Sequence, residues 1–235
     1  MSLKSSPNFI KDKEGHWIAL SDLMTGLMMF FLLLSIAFME RVEADSDKIK
    51  KVAVLYDQLK TDLYIDLSNE FSSDLNNWGA EINKDLTIIF KEPNVLFNTG
   101  SDNLKEKFKT ILDNFFPRYV KILSSDKYRN SITEIRIEGH TSSFWGANVS
   151  QDDAYFRNME LSQARTRTTL KYLLSMPVIQ NEKPWLRQFL TANGLSSSKP
   201  IFENGKEDFA RSQRVEFRVR TDAESRIANI LEVSR

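Results

Sequence analysis

From Leu23 to Met39 no residue carries a charge, and this run limits what the chain can fold into more than any other feature. With Trp17 to Leu20 in front of it, the stretch reaches the roughly 20 residues a helix needs to cross a bilayer core. Its apolar side chains fall on every side of a helix instead of along one stripe, which suits lipid better than the interior of a soluble domain. It is too long for the apolar part of a signal peptide, and no small-x-small cleavage site follows it closely. His16 and Trp17 suit the interfacial zone at its start. Residues 17–39 are therefore expected to span a membrane once, with residues 1–16 as a short tail.

Orientation follows from the flanking charges. The tail has Lys4, Lys11 and Lys13 against Asp12 and Glu14, whereas Glu40, Arg41, Glu43, Asp45 and Asp47 follow the span. The positive-inside rule counts Lys and Arg near the membrane and places the tail in the cytoplasm. Lys48, Lys50 and Lys51 pull the other way.

Near the start of the span stands one acid, Asp22. A carboxylate at a span's centre costs about 2.5–3.5 kcal/mol on insertion scales, and less near the headgroups. Asp22, Thr25, Gly26, Met29 and Leu33 follow steps of three and four and share one helical face. Gly26 on that face lets a second helix approach closely. The pattern favours a protonatable group facing a partner helix or a water path over an acid that merely stays wet at the interface.

Composition narrows the function classes. Net charge is +0 with 27% charged residues, so no basic patch or stripe marks a nucleic-acid binder. Cysteine is absent and there are two histidines, His16 and His140. That leaves too few ligands for a zinc site. Ser124-Ser125-Asp126-Lys127 fits Ser-x-x-Lys, but no Ser-Asp-Asn or Lys-Thr-Gly accompanies it. The chain is expected to be no enzyme and to need neither metal nor cofactor.

Residues 40–78 are rich in charge and carry apolar residues at Ile49, Val52, Tyr56, Leu59, Leu63 and Leu67. Steps of three and four predict a helical stalk, whose stripe can pair in a dimeric coiled coil or pack on its own domain. From residue 79 to 235 strands and helices alternate. "AEINKDLTIIF" predicts a hairpin turning near Asn83-Lys84-Asp85. "LKEKFKTILDNFFPRYVKIL" is helical, with a kink or break expected at Pro117. "ITEIRIEGH" is a strand with Ile135 and Ile137 on one face. "MELSQARTRTTLKYLLSM" is a helix with apolar Leu161, Ala164, Leu170, Leu173 and Leu174. "PWLRQFLTANG" reads as a helix stopped at Gly194. "QRVEFRVR" is a strand alternating Val215, Phe217 and Val219 against charges. The fold class expected is α+β: a single N-terminal transmembrane helix, a helical stalk, and an α/β sandwich with helices on one face of a mixed sheet.

The span "SDLMTGLMMFFLLL" resembles that of MotB-type stator subunits, in which an aspartate carries protons beside a polytopic A-type subunit. The resemblance implies Asp22 as the ion carrier, Thr25 at the helix interface, and a homodimer inside a ring of A-type (MotA-like) subunits, five in number. The later domain resembles OmpA-like peptidoglycan-binding domains. "VLFNTGSDNL" matches their opening strand and turn, "IRIEGHTS" their second strand and loop, "NMELSQARTRTTLKYL" their Asn-x-x-Leu-Ser-x-x-Arg helix, and "RSQRVEFRV" their last strand. Those domains grip the diaminopimelate of the wall's stem peptide, whose carboxylate suits a guanidinium fork. The resemblance implies Thr141, Ser142, Asn158, Arg165 and Arg214 as peptidoglycan-binding residues. After the second strand that family reads Gly-His/Tyr-Thr-Asp, whereas this chain reads Gly139-His140-Thr141-Ser142-Ser143. A neutral hydroxyl replaces the acid for the ligand's ammonium, a role that Asp152 or Asp153 can fill instead.

A MotB-like span joined to an OmpA-like domain describes flagellar MotB and the B subunits of Zorya anti-phage defence systems. The Ser142-Ser143 variant, the short tail without strong basic character and the form of the span favour the Zorya type. The function implied is that of an ion-driven, in this case proton-driven, subunit of an anti-phage motor in the bacterial inner membrane. Its C-terminal domain would lie in the periplasm, anchored to peptidoglycan. A flagellar stator subunit and a passive membrane-tethered wall anchor are the alternatives.

Overall fold

The computed structural model describes residues 8–91 and 96–222. The first seven residues of the tail, Val95 of the opening-strand motif and the end of the chain from 223 lie outside the described residues. So do the side chains of His16, Lys48, Lys51, Val52 and Tyr56. The chain divides into two units at Ala53/Val54. Helix α1 (Asn8–Phe71) supplies the described part of the first and the N-terminal edge of the second.

In the first unit one helix segment, Trp17–Asp47, is long and apolar enough to cross a membrane, and its most apolar 18 residues have a mean hydropathy of 2.0 with none of them buried. The hydroxyls inside it are satisfied locally. Thr25 Oγ1 donates to the Ser21 carbonyl at 2.8 Å and Ser35 Oγ to the Phe31 carbonyl at 2.7 Å, so neither requires water in an apolar surrounding.

The second unit begins before the boundary expected at residue 79. Leu63, Leu67 and Phe71, at steps of four on α1, are completely or almost completely buried in the domain core, with Leu59 packed against it. These positions of the stalk stripe are therefore taken up by the chain's own domain and are not free for a dimer seam. Each such side chain contributes about 1.5–3 kcal/mol of burial. Charge fixes the same segment: Arg118 donates to Glu70 Oε1 at 2.7 Å and to Asp74 Oδ2 at 2.8 Å, and its guanidinium lies over the Phe71 ring.

Short helix α2 (Leu75–Trp78) ends at Gly79, which takes the left-handed conformation. Strands β1 (Ala80–Ile82) and β2 (Thr87–Phe90) then form the expected hairpin, Ala80 opposite Phe90. Helix α3 (Glu106–Leu123) runs through Pro117 without a break. Phe115, Phe116, Tyr119 and Val120, all buried, lock it on both sides of the proline, and this packing outweighs one lost backbone bond. Phe115 is the hub, with ring centroids 5.2 Å from Phe71, 5.3 Å from Phe90, 4.9 Å from Tyr119 and 5.1 Å from Phe217.

Strand β3 (Ile132–His140), helix α4 (Gln151–Ser175), a 3₁₀ turn (Pro177–Ile179), helix α5 (Lys183–Phe189) and strand β4 (Leu190–Gly194) follow. A two-residue hairpin of β5 (Phe202–Glu203) and β6 (Lys206–Glu207), helix α6 (Phe209–Ser212) and strand β7 (Arg214–Thr221) complete the described domain. The main sheet has the order β1-β2-β7-β3-β4, with β3 and β4 parallel and the other pairs antiparallel. Ile135, Ile137, Val215, Phe217 and Val219 face the core, and α4 sits on that side. This is the expected α+β class with helices on one face of a mixed sheet.

One expected element is different. "PWLRQFLTANG" is not one helix: α5 ends at Phe189 and Leu190–Gly194 is a parallel strand beside β3, with Gly194 opposite Gly139. A short apolar stretch with helical spacing was drawn into the sheet by its β3 neighbour, and Gly194 is a packing position instead of a helix stop.

Candidate functional site

Helix α4 buries a face that is mainly polar until its last two turns: Ala154, Asn158, Ser162, Arg165, Thr166 and Thr169, with Leu173 after them. The expected apolar positions Leu161, Ala164, Leu170 and Leu174 are only partly buried. Two glycines explain the shift. A Cβ on Gly194 would lie 2.3 Å from the Gln163 nitrogen, and one on Gly139 would lie 2.7 Å from Thr166 Cγ2 and 3.0 Å from the Ser162 carbonyl oxygen. The helix rests directly on the ends of β3 and β4, leaving room for serine and threonine and none for leucine.

This close approach organises the loop after β3. The Thr141 N–H donates to the Ser196 carbonyl at 3.0 Å. Ser162 Oγ accepts from the Ser196 N–H at 3.1 Å, and Ser196 Oγ donates to the Tyr155 carbonyl at 2.7 Å. Thr141 and Ser142 are buried, and Thr141 Oγ1 has no partner among the described residues. Asn158, one turn before Ser162, is buried with its Nδ2 likewise unpartnered. A free buried donor costs about 1–3 kcal/mol, so such groups mark where a ligand or water completes the bonding. Ser162 and Ser196 hold this arrangement, and only the Leu-Ser-x-x-Arg motif hinted at the first.

Arg165 is 8% exposed. Its Nε donates to the Ser101 carbonyl at 2.9 Å and its Nη2 to the Asn98 carbonyl at 3.2 Å, with the guanidinium over Phe97. Burial pushes its pKa down to about 10, with Asp102 opposing. Arg165 thus braces the 97–101 turn while its Nη1 keeps no bond to a described residue. Arg165 and Arg214 line one cleft of about 10 Å³ with Phe97, Gly139, His140 and Ser162, room for about one water.

Arg214 belongs equally to the other face of the sheet. There the register sets Arg136 opposite Arg218 and Glu138 opposite Glu216, like charge against like. One diagonal pair and two pairs along a single strand resolve the conflict: Arg218 Nε with Glu138 Oε2 at 3.7 Å across the strands, and Arg214 Nε with Glu216 Oε1 at 2.6 Å and Arg136 Nη1 with Glu138 Oε1 at 3.7 Å within them. His140 Nε2 lies 3.6 Å from Glu216 Oε1. Glu138, His140 and Glu216 are close enough to hold a metal ion, but three guanidinium groups already supply the countercharge a cation would bring. No spacing in the sequence signals that these acids meet His140.

Burial would raise the Glu216 pKa, but His140 and Arg214 outweigh it and hold the carboxyl down at about 2. Because the folded value lies below the ordinary 4.5, the stabilisation is complete above about pH 4.5 and lost as pH falls towards 2. Thermal melts should show Glu216→Gln less stable than the parent at neutral pH, with the gap closing on the acid side. A gap independent of pH would refute the assignment.

Asp152 and Asp153 stand in the first turn of α4, directly after the loop. Ser150 Oγ accepts from the Asp153 N–H at 3.1 Å and donates to Asp153 Oδ2 at 2.8 Å, which commits Asp153 to capping the helix, and Asp152 is exposed. Glu207 of β6 reaches the loop: the Ser143 N–H donates to its Oε1 at 2.9 Å and the Ser143 hydroxyl to its Oε2.

In the first unit Asp22 is exposed, and no hydrogen bond or ion pair joins its carboxylate to another described residue. A Cβ on Gly26, one turn on, would meet no described residue within 4 Å.

Residues 96–214 match the model of the OmpA family. A solved structure, a putative MotB-like protein from Desulfovibrio vulgaris, superposes with a TM-score of 0.50 at 24% identity, covering 71% of this chain and 94% of that one. The Zorya protein ZorB of Escherichia coli is 48% identical over 231 residues, 97% of each chain. With likeness of that degree along nearly its whole length, the chain belongs to the ZorB family of Zorya proteins, with an OmpA-family domain built on the site described above.

Proposed function

We propose that this chain is the ion-driven membrane subunit of a Zorya anti-phage complex, anchored to peptidoglycan, with Asp22 carrying a proton. The observation that carries this reading is an unpartnered carboxylate at the head of an uncharged span, with an open glycine one turn away. A helix of a polytopic A-type subunit packs on that face, with Thr25 at the contact, and Asp22 alternates between neutral and ionised as it passes. The tail lies in the cytoplasm and the domain in the periplasm of a single-pass inner-membrane protein. Two copies stand inside a ring of five A-type subunits. Native mass measurement of the detergent-purified complex should give two copies with five partners; a chain that purifies and protects cells as a monomer would support a passive anchor instead.

In the wall site, the free Nη1 edge of Arg165 receives the carboxylate of the stem peptide's diaminopimelate. Thr141, Ser142, Asn158 and Arg214 complete the surround. Arg165→Ala also removes the brace of the 97–101 turn, so it is expected to lower stability as well as binding. Arg165→Lys keeps the charge without the fork and is the cleaner test. Retention of the full chain on purified sacculi should fall about tenfold or more, read at a temperature where circular dichroism shows the variant still folded. Unchanged retention would remove Arg165 from the wall site.

A further inference from the structure

Beside the cleft the domain exposes aromatic rings that its own fold does not use. Phe144 and Phe209 are 58% and 49% exposed, with ring centroids 6.0 Å apart and planes tilted by 38°. Phe202 is exposed as well, and it sits opposite Glu207 in the β5–β6 ladder. Cross-strand partners share a face. The Glu207 carboxylate is bonded to the N–H and hydroxyl of Ser143, the residue before Phe144. Asp208 caps α6, accepting from the N–H groups of Ala210 and Arg211 at 3.0 Å, and this fixes Phe209 at the helix start. Three separate segments thus place phenylalanine rings around one anchored carboxylate.

The chemistry around the rings selects the occupant. Two bonds to Ser143 hold the Glu207 carboxylate in place, and its remaining lone pairs accept hydrogen bonds. Glu203, Glu207 and Asp208 outnumber Lys206 and Arg211 in this stretch, so it offers no basic cluster for an anionic lipid headgroup or nucleic acid. A few rings also give far less area than the roughly 800 Å² per partner that a stable protein interface buries. A pyranose ring suits the place: its C–H face packs on an aromatic ring and its hydroxyls donate to a fixed carboxylate. The loop that carries Phe144 is the one that carries Thr141 and Ser142, so the ledge continues the wall site.

We infer that Phe144 and Phe209, with Glu207 bonded to the residue before Phe144 and Phe202 opposite it, form a saccharide-binding ledge that holds the amino-sugar strand of peptidoglycan while the cleft holds the peptide. This inference rests on the wall-binding reading above. It assigns the ledge residues to the glycan and leaves the peptide to Arg165.

The test uses the full chain in detergent, purified sacculi and a soluble oligomer of N-acetylglucosamine. The Phe144→Ala/Phe209→Ala variant should melt as the parent does, because both rings are exposed. Its retention on sacculi should fall on the order of tenfold, from the lost apolar contact, and oligomer binding should disappear. Phe144→Trp keeps a ring and should retain both. If the double variant held sacculi and oligomer as the parent does, the ledge would be overturned and the wall site would stand. If the parent itself were not retained on sacculi, the wall reading would fail and the ledge with it.

Discussion

Asp22→Asn is expected to abolish phage protection in cells while leaving the protein inserted in the membrane, assembled with its partner and retained on the wall. The two side chains have nearly the same shape, and the Asp22 carboxylate has no bond to a described residue for the amide to disturb. What disappears is the ability to change charge. A membrane potential supplies about 2.3 kcal/mol per elementary charge per 100 mV, so a carrier that alternates between neutral and ionised can draw work from it. An asparagine, neutral throughout, cannot. The measurement is plaque formation on cells expressing the variant complex, with membrane fractionation as the control. Full protection by Asp22→Asn would leave the passive anchor as the surviving reading. Gly26→Ala supplies a second handle on the same face. A Cβ there meets no described residue within 4 Å, so a loss of partner assembly in that variant would report a helix packed against it from outside.

Gly194→Ala is expected to be among the most destabilising single substitutions in the domain. The added Cβ would lie 2.3 Å from the Gln163 nitrogen, 2.6 Å from its Cγ and 2.7 Å from its Cα. Two of these three atoms are helix backbone, so relief requires moving α4 away from β4. The cost should be about 3 kcal/mol or more, which for a domain of this size lowers the melting temperature by roughly 6–12 °C. Circular dichroism of the full chain in detergent reads this directly. Because Asn158, Ser162 and Arg165 ride on α4, the same displacement should also weaken sacculus retention. Gly139→Ala should cost less, since its nearest obstacle is the methyl end of Thr166. Equal stability of Gly194→Ala and the parent would mean that the helix does not rest on the strand as described.

The sequence by itself determined the elements whose patterning is local or whose solvent is uniform. The span could be read because lipid asks the same of every side of a helix, and Asp22 stood out against it. The β1–β2 hairpin, α3, β3 and β7 followed from period and turn residues, and the Leu-Ser-x-x-Arg helix and the Arg-Val-Glu strand carried the family resemblance. What the tertiary structure decided were the matters that depend on a distant neighbour. Leu63 and Leu67 have the same spacing whether they meet a second copy or their own core, and only their burial in the domain core chose. Leu190–Gly194 reads as the end of a helix until β3 lies beside it. Asn158, Ser162 and Thr166 look like a solvated face until Gly139 and Gly194 let the helix settle on the strands. The meeting of Glu138, His140 and Glu216, and of Ser143 with Glu207, joins residues between two and seventy-eight positions apart. Burial and pairing at such distances are set by which strands share a sheet and in what register, and no local pattern in the chain encodes that choice.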